Sequence, residues 1–109
     1  MQFTIFQESR KGSRSTNQDR IAYTYSRDTL LLVVADGMGG HAGGEIAAQI
    51  AVRLFIERFQ KEASPILKNP LTFLHETMVK AHAALGAYSA QSSMLETPRT
   101  TCVACIVQG

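Results

Sequence analysis

Leu30-Leu31-Leu32-Val33-Val34-Ala35-Asp36-Gly37-Met38-Gly39-Gly40-His41-Ala42-Gly43-Gly44-Glu45 runs from an apolar segment through a glycine-dense turn into a helix. The continuous apolar run Leu30 to Ala35 fits a strand buried on both faces. Five glycines fall between positions 37 and 44. One or two would serve a strand-to-helix turn, so this density points to backbone that approaches something closely. A helix then begins between Ala42 and Glu45. Glu45, Gln49, Arg53, Glu57 and Lys61 recur at i, i+4 as its polar stripe, and Ile46, Ala47, Ile50, Ala51, Leu54 and Phe55 form the opposite, apolar face.

Toward the N-terminus, Arg20 to Tyr25 alternates, with Ile21, Tyr23 and Tyr25 on one face. It is joined to the apolar run by the hairpin-length break Ser26-Arg27-Asp28-Thr29. Phe3 to Gln7 alternates as well and predicts a first strand. Residues 8–18 are polar and read as a loop. Toward the C-terminus, Ser64-Pro65 falls in a connection. Asn69-Pro70 then starts a second helix with an N-cap residue and a proline at the first helical position. Leu71, Leu74, Met78, Ala81, Leu85 and Tyr88 form a strip expected to pack on the first helix. Residues 91–99 read as a loop, and the β-branched stretch Thr100 to Val107 as a last strand. The predicted order, β-β-β-α-α-β, belongs to the α+β class.

Composition bounds the function. The chain has 109 residues, 45% of them apolar and 18% charged, with a formal charge of +2. That suits a globular chain and excludes a charged disordered segment. It also lacks the cationic excess that backbone contacts to nucleic acid require. No apolar run reaches the ~18 residues of a membrane span, and Met1 to Glu8 has no signal-peptide pattern. Cys102 and Cys105 make no disulfide framework. No repeat or low-complexity segment is present. These features predict a cytoplasmic globular protein with no nucleic-acid or membrane partner.

Three chemistries compete for the glycine-rich turn. Gly37-Met38-Gly39-Gly40-His41-Ala42 matches the G-x-G-x-x-A form of a dinucleotide fingerprint, a weak signal alone. Asp36 would set a carboxylate beside the pyrophosphate, and a second helix follows where a parallel strand is needed. Gly39 and Gly44 imitate a phosphate-binding loop, but Glu45 stands where that loop requires lysine. The third reading centres on Asp36, an acid at the tip of a strand, beside the unshielded carbonyl of Gly37. A carboxylate and a carbonyl are hard oxygen ligands suited to Mg²⁺ or Mn²⁺. Asp19 opens the neighbouring strand, so a hairpin would bring it beside Asp36. Asp19 could instead cap a loop or pair with Arg20.

Arg14-Ser15-x-Asn17-Gln18-Asp19-Arg20, Val34-Ala35-Asp36-Gly37-Met38-Gly39-Gly40-His41 and Gly44-Glu45-x-Ala47 resemble the N-terminal part of the metal-dependent serine/threonine protein phosphatases, the type 2C or PPM family. Thr100-Thr101 leading into an apolar strand fits as well. Spacing and order match over essentially the whole chain, and the Asp-Gly-Met-Gly-Gly-His wording is similar to the bacterial branch.

The resemblance implies a four-layer α-β-β-α sandwich, of which residues 1–109 would form the N-terminal half of a single domain. It implies two Mn²⁺ or Mg²⁺ ions, with Asp36 bridging them, Gly37 contributing its carbonyl and Asp19 in the metal shell. Asp36 and Asp19 are thus the implied catalytic residues, and Arg14 would grip the substrate phosphate with its guanidinium fork. The implied reaction is hydrolysis of phosphoserine or phosphothreonine in a protein. A metal-activated water attacks phosphorus, with no covalent phosphoenzyme. Cys102 and Cys105, on opposite faces of a strand, are then core or core-edge residues.

Met38 stands where many eukaryotic members carry a histidine proposed as general acid, and Arg99 where glycine is usual. His41 is read as a helix-end contact or an exposed ring. Asp28 falls at the wrong end of its strands to be a ligand. The family draws further aspartates from later strands that these residues do not include. A catalytically inactive regulatory or interaction module is therefore the alternative, and exposed apolar surface, dimerisation or poor solubility is expected.

Overall fold

The computed structural model describes residues 2–7, 19–38, 42–92 and 98–109. Its elements are β1 (Asp19–Tyr25), β2 (Thr29–Met38), α1 (Ala42–Glu62), α2 (Pro70–Gln91) and β3 (Arg99–Gln108). The three strands form one antiparallel sheet in the order β1-β2-β3. β2 is central because it is the apolar run and must be covered on both edges. Ser26 N–H donates to the Thr29 carbonyl at 2.9 Å, which closes the β1–β2 hairpin and sets its register from Tyr25↔Leu30 to Asp19↔Asp36.

Alternation along β2 sends Leu31, Val33 and Ala35 to one face, each at most 1% exposed. α1 covers that face. Its Ala47, Ala48 and Ala51 are buried, and their short side chains let the helix lie close to the strands. Farther along α1, Phe55 and Phe59 complete the core with Leu31, Val33, Leu67 and Phe73. The polar stripe expected for α1 is the solvent side: Gln49, Arg53, Glu57 and Lys61 are exposed and Glu45 is half-buried.

α2 packs on α1. Asn69 caps it, its side-chain oxygen accepting from Thr72 N–H at 3.1 Å, and Pro70 stands in the first turn. The buried face of α2 matches the predicted strip only in part: Ala81 and Leu85 are buried and Leu74 packs partly against the core, but the strip fails at the start of the helix. Phe73, Thr77, Ala81, Leu85 and Ser89 are buried, whereas Leu71 is 77% exposed and Met78 is exposed too. The aromatic ring decides the rotation. Phe73 lies edge-on to Phe55 and Phe59, both with ring centroids at 6.3 Å. Thr77 is tolerated inside because its hydroxyl donates to the Phe73 carbonyl at 2.6 Å and accepts from Arg58 at 2.8 Å.

The link between the helices is tied to the sheet by Gln108. Its side-chain oxygen accepts from Leu67 N–H and the Thr29 hydroxyl, and its amide donates to the Leu67 carbonyl. The Ser64-Pro65 peptide bond is cis.

The predicted strand Phe3–Gln7 does not form; residues 2–7 carry no strand pairing. Alternation identifies a face that can be buried, but a strand also needs an edge to bond. Phe3 instead meets Tyr25 ring to ring, with centroids 5.1 Å apart. The order is therefore β-β-α-α-β, still α+β. The far face of the sheet keeps Tyr23, Tyr25, Val34, Val103 and Val107 exposed, in line with the expected apolar surface. Cys102 packs partly against the core, but Cys105, on the far face, is exposed rather than at a core edge.

Candidate metal centre

The strand pairing assembles the site. Asp19 and Asp36 are direct register partners at one end of the sheet. Directly opposed positions of an antiparallel pair share a face and lie ≈ 4.5–5.5 Å apart at Cβ. On the other side of β2, Asp36 pairs with Thr101 and Gly37 with Thr100. The Thr101 hydroxyl donates to the Asp36 carbonyl at 3.4 Å. Asp36 is half-buried and Gly37 buried, so the two oxygen donors stand at the rim of the core. A sheet bonded on both sides holds the end of β2 and leaves its backbone little freedom.

One strong charge contact lies next to these positions. The Arg20 guanidinium ion-pairs with the Glu45 carboxylate in the first turn of α1. Arg20, a possible partner for Asp19 on sequence grounds, thus has a partner 25 residues away. Strand alternation carried the signal for it: Arg20 stands opposite Ala35, on the α1 side of the sheet. Asp28 lies at the opposite end, paired with Arg27 at 3.1 Å, and cannot join Asp36. Arg14 and His41 lie outside the described residues, and so do the side chains of Asp19 and Met38. Arg99 is exposed at the start of β3, paired with Met38.

Carboxylate and carbonyl oxygens fit hard divalent cations such as Mn²⁺ and Mg²⁺ in kind. Among the described residues no group of three or more His, Cys, Asp or Glu side chains is close enough to hold a metal ion. The thiols offer no competing nucleophile at the core. Burial pushes the Cys102 thiol above its ordinary pKa and so disfavours the reactive thiolate. A cleft of about 540 Å³ between the C-terminal end of α1 and the start of α2 is lined by Leu67, Phe73 and Glu76. It lies at the far end of the sheet from Asp36, beside Gln108.

The model of the family described as protein phosphatase 2C matches residues 7–109. The serine/threonine phosphatase stp of Listeria monocytogenes serotype 4b is 30% identical over 104 residues, 94% of this chain and 41% of that protein. The catalytic domain of the serine/threonine protein phosphatase PstP, solved in complex with two manganese ions, superposes with a TM-score of 0.72 at 29% identity. The match covers 88% of this chain and 39% of that one. The S. agalactiae serine/threonine phosphatase shares the fold at a TM-score of 0.62 and 24% identity, over 88% of this chain and 40% of that one. The chain thus spans about 40% of the length of the relatives it matches.

Proposed function

The chain belongs to the protein phosphatase 2C family, and from that premise we propose that it carries part of the active site of a metal-dependent phosphatase acting on phosphoserine and phosphothreonine in proteins. One observation carries the reading: the register sets Asp19 directly opposite Asp36, with Gly37 next along β2. In this proposal Asp36, Asp19 and the Gly37 carbonyl hold Mn²⁺ or Mg²⁺, and residues 1–109 are the N-terminal part of a single catalytic domain. When bound, such ions supply an acidified water and neutralise phosphate charge. The residues of the chain do the rest. Asp36 and Asp19 concentrate negative charge at one sheet end, which selects divalent cations. The β2 ladder orients Asp36, and the Arg14 guanidinium binds the substrate phosphate through paired N–H donors. Relatives that are serine/threonine phosphatases support the substrate class.

The test is hydrolysis of p-nitrophenyl phosphate and of a phosphothreonine peptide by the chain, with and without Mn²⁺. Turnover at millimolar Mn²⁺ that chelation with EDTA abolishes supports the reading. Absence of turnover above background would sink the claim that this chain is itself an enzyme and favour the non-catalytic interaction module.

The uncovered apolar face of the sheet supports self-association through Tyr23, Val34 and Val103. Sedimentation should show a concentration-dependent dimer; a monomer at every concentration contradicts it. No helix among the described residues is long and apolar enough to cross a membrane. Two free thiols accord with a reducing, cytoplasmic setting.

A further inference from the structure

We propose that the Arg20–Glu45 ion pair is a positioning clamp that sets the metal-binding end of the sheet against the start of α1. The inference rests on the assignment of Asp19, Asp36 and Gly37 as cation ligands. Arg20 follows Asp19 on β1 and stands opposite Ala35, the residue before Asp36 on β2. Ala35 is fully buried on the α1 face, and alternation puts Arg20 on that same face. Glu45 lies in the first turn of α1, where the helix dipole favours an acid. The pair therefore ties β1 directly to the helix start.

The contact spans 25 residues and joins two elements that are not neighbours in the chain, so it fixes how the start of α1 sits against β1. Its exposure argues for geometry over stability: the two side chains keep 33% and 41% of their accessible surface, and ion pairs so exposed add little to global stability.

Arg58 provides the contrast. Its side chain, 16% exposed, pairs with Glu62 at 2.9 Å and Glu76 at 3.5 Å and bonds Thr77. It lies 13 residues farther along α1 than Glu45, about 20 Å at 1.5 Å per residue. Arg58 fastens the helices to each other, and its partners Glu62, Glu76 and Thr77 all lie on α1 and α2.

The experiment titrates Mn²⁺ into the chain, follows free Mn²⁺ by electron paramagnetic resonance, and records thermal unfolding of each variant. Arg20→Gln and Glu45→Gln should each weaken Mn²⁺ binding roughly 10-fold, the scale of lost outer-shell support for a metal ligand, with little change in melting temperature. The charge-swapped R20E/E45R chain should recover most of the affinity. Arg58→Ala should melt lower and bind Mn²⁺ as the unsubstituted chain does. Arg20→Lys, which keeps the charge, should bind within a few-fold of the unsubstituted chain, and Glu45→Gln alone carries the test if Arg20→Gln does not fold. Unchanged affinity in the single variants overturns the clamp. So does a loss in Arg58→Ala as large as theirs, or a swap that recovers nothing. Failure of the unsubstituted chain to bind Mn²⁺, or binding that survives Asp36→Asn, strikes the ligand assignment itself and is visible before the Arg20 variants are compared.

Discussion

Asp36→Asn is expected to abolish Mn²⁺-dependent phosphatase activity, with a loss of at least about 100-fold, since even outer-shell changes at metal sites cost 10–100-fold. The substitution keeps the shape of the side chain and removes its charge. A neutral amide oxygen is a far weaker ligand for a hard dication than a carboxylate. Asp36 is half-buried at the end of a strand that is paired on both sides. The Thr101 hydroxyl donates to the Asp36 backbone carbonyl, a contact that Asp36→Asn leaves in place, so the ladder survives the change.

Two measurements check this together. Steady-state hydrolysis with Mn²⁺ reads the activity. Thermal unfolding with and without Mn²⁺ reads the binding, because a cation held only by the folded chain raises its stability by about 2.7 kcal/mol at a hundredfold excess over Kd. That increment should be present in the unsubstituted chain and absent from Asp36→Asn. Retained activity in the variant, or an undiminished Mn²⁺-dependent rise in melting temperature, refutes the role given to Asp36.

Phe73→Ala should be strongly destabilising, costing about 3–5 kcal/mol. Phe73 is 3% exposed and touches both phenylalanines of α1. The Arg58 guanidinium also sits over its ring, 5.6 Å from the centroid. Truncation leaves a cavity between the helices and strips Arg58 of the ring it stacks on. A chain of this size has only about 5–15 kcal/mol of total stability, so the variant should lose much of its resistance to urea. Leu71→Ala is the matched control, two residues away and 77% exposed; it should change stability by no more than about 0.5 kcal/mol. Equal urea midpoints for the two variants would contradict the rotation of α2 described here.

That pair of residues shows where sequence reasoning stops. The predicted strip Leu71, Leu74, Met78, Ala81, Leu85 and Tyr88 and the buried set Phe73, Thr77, Ala81, Leu85 and Ser89 share Ala81 and Leu85 and part at the start of the helix. α2 carries two apolar arcs, and periodicity ranks them by composition. The choice between them is made by Phe55 and Phe59, which lie on another helix. Thr77 lowers the apparent hydropathy of the true inner face, and only its bonds to Arg58 and the Phe73 carbonyl explain why it can be inside. The strand expected at Phe3–Gln7 fails for a related reason: alternation is local, while a strand exists only if an edge accepts it.

The candidate site was more legible. Asp36 at the end of an apolar run and Asp19 at the start of an alternating one are positions along the chain. A two-strand hairpin with a short break has few registers, so their convergence followed from counting. The Arg20–Glu45 pair has no local signature, because an ion pair across 25 residues depends on how a helix is laid against a sheet. The sequence by itself determined the elements built from local signals: the apolar central strand, though it is covered on its α1 face and exposes Val34 on the other, the hairpin, the capped second helix, and the acids placed opposite each other. Only the tertiary structure decided which arc of α2 faces inward, whether a first strand forms, and what holds the start of α1. Each of those depends on the surface of a partner element, and residues distant in the sequence supply that surface.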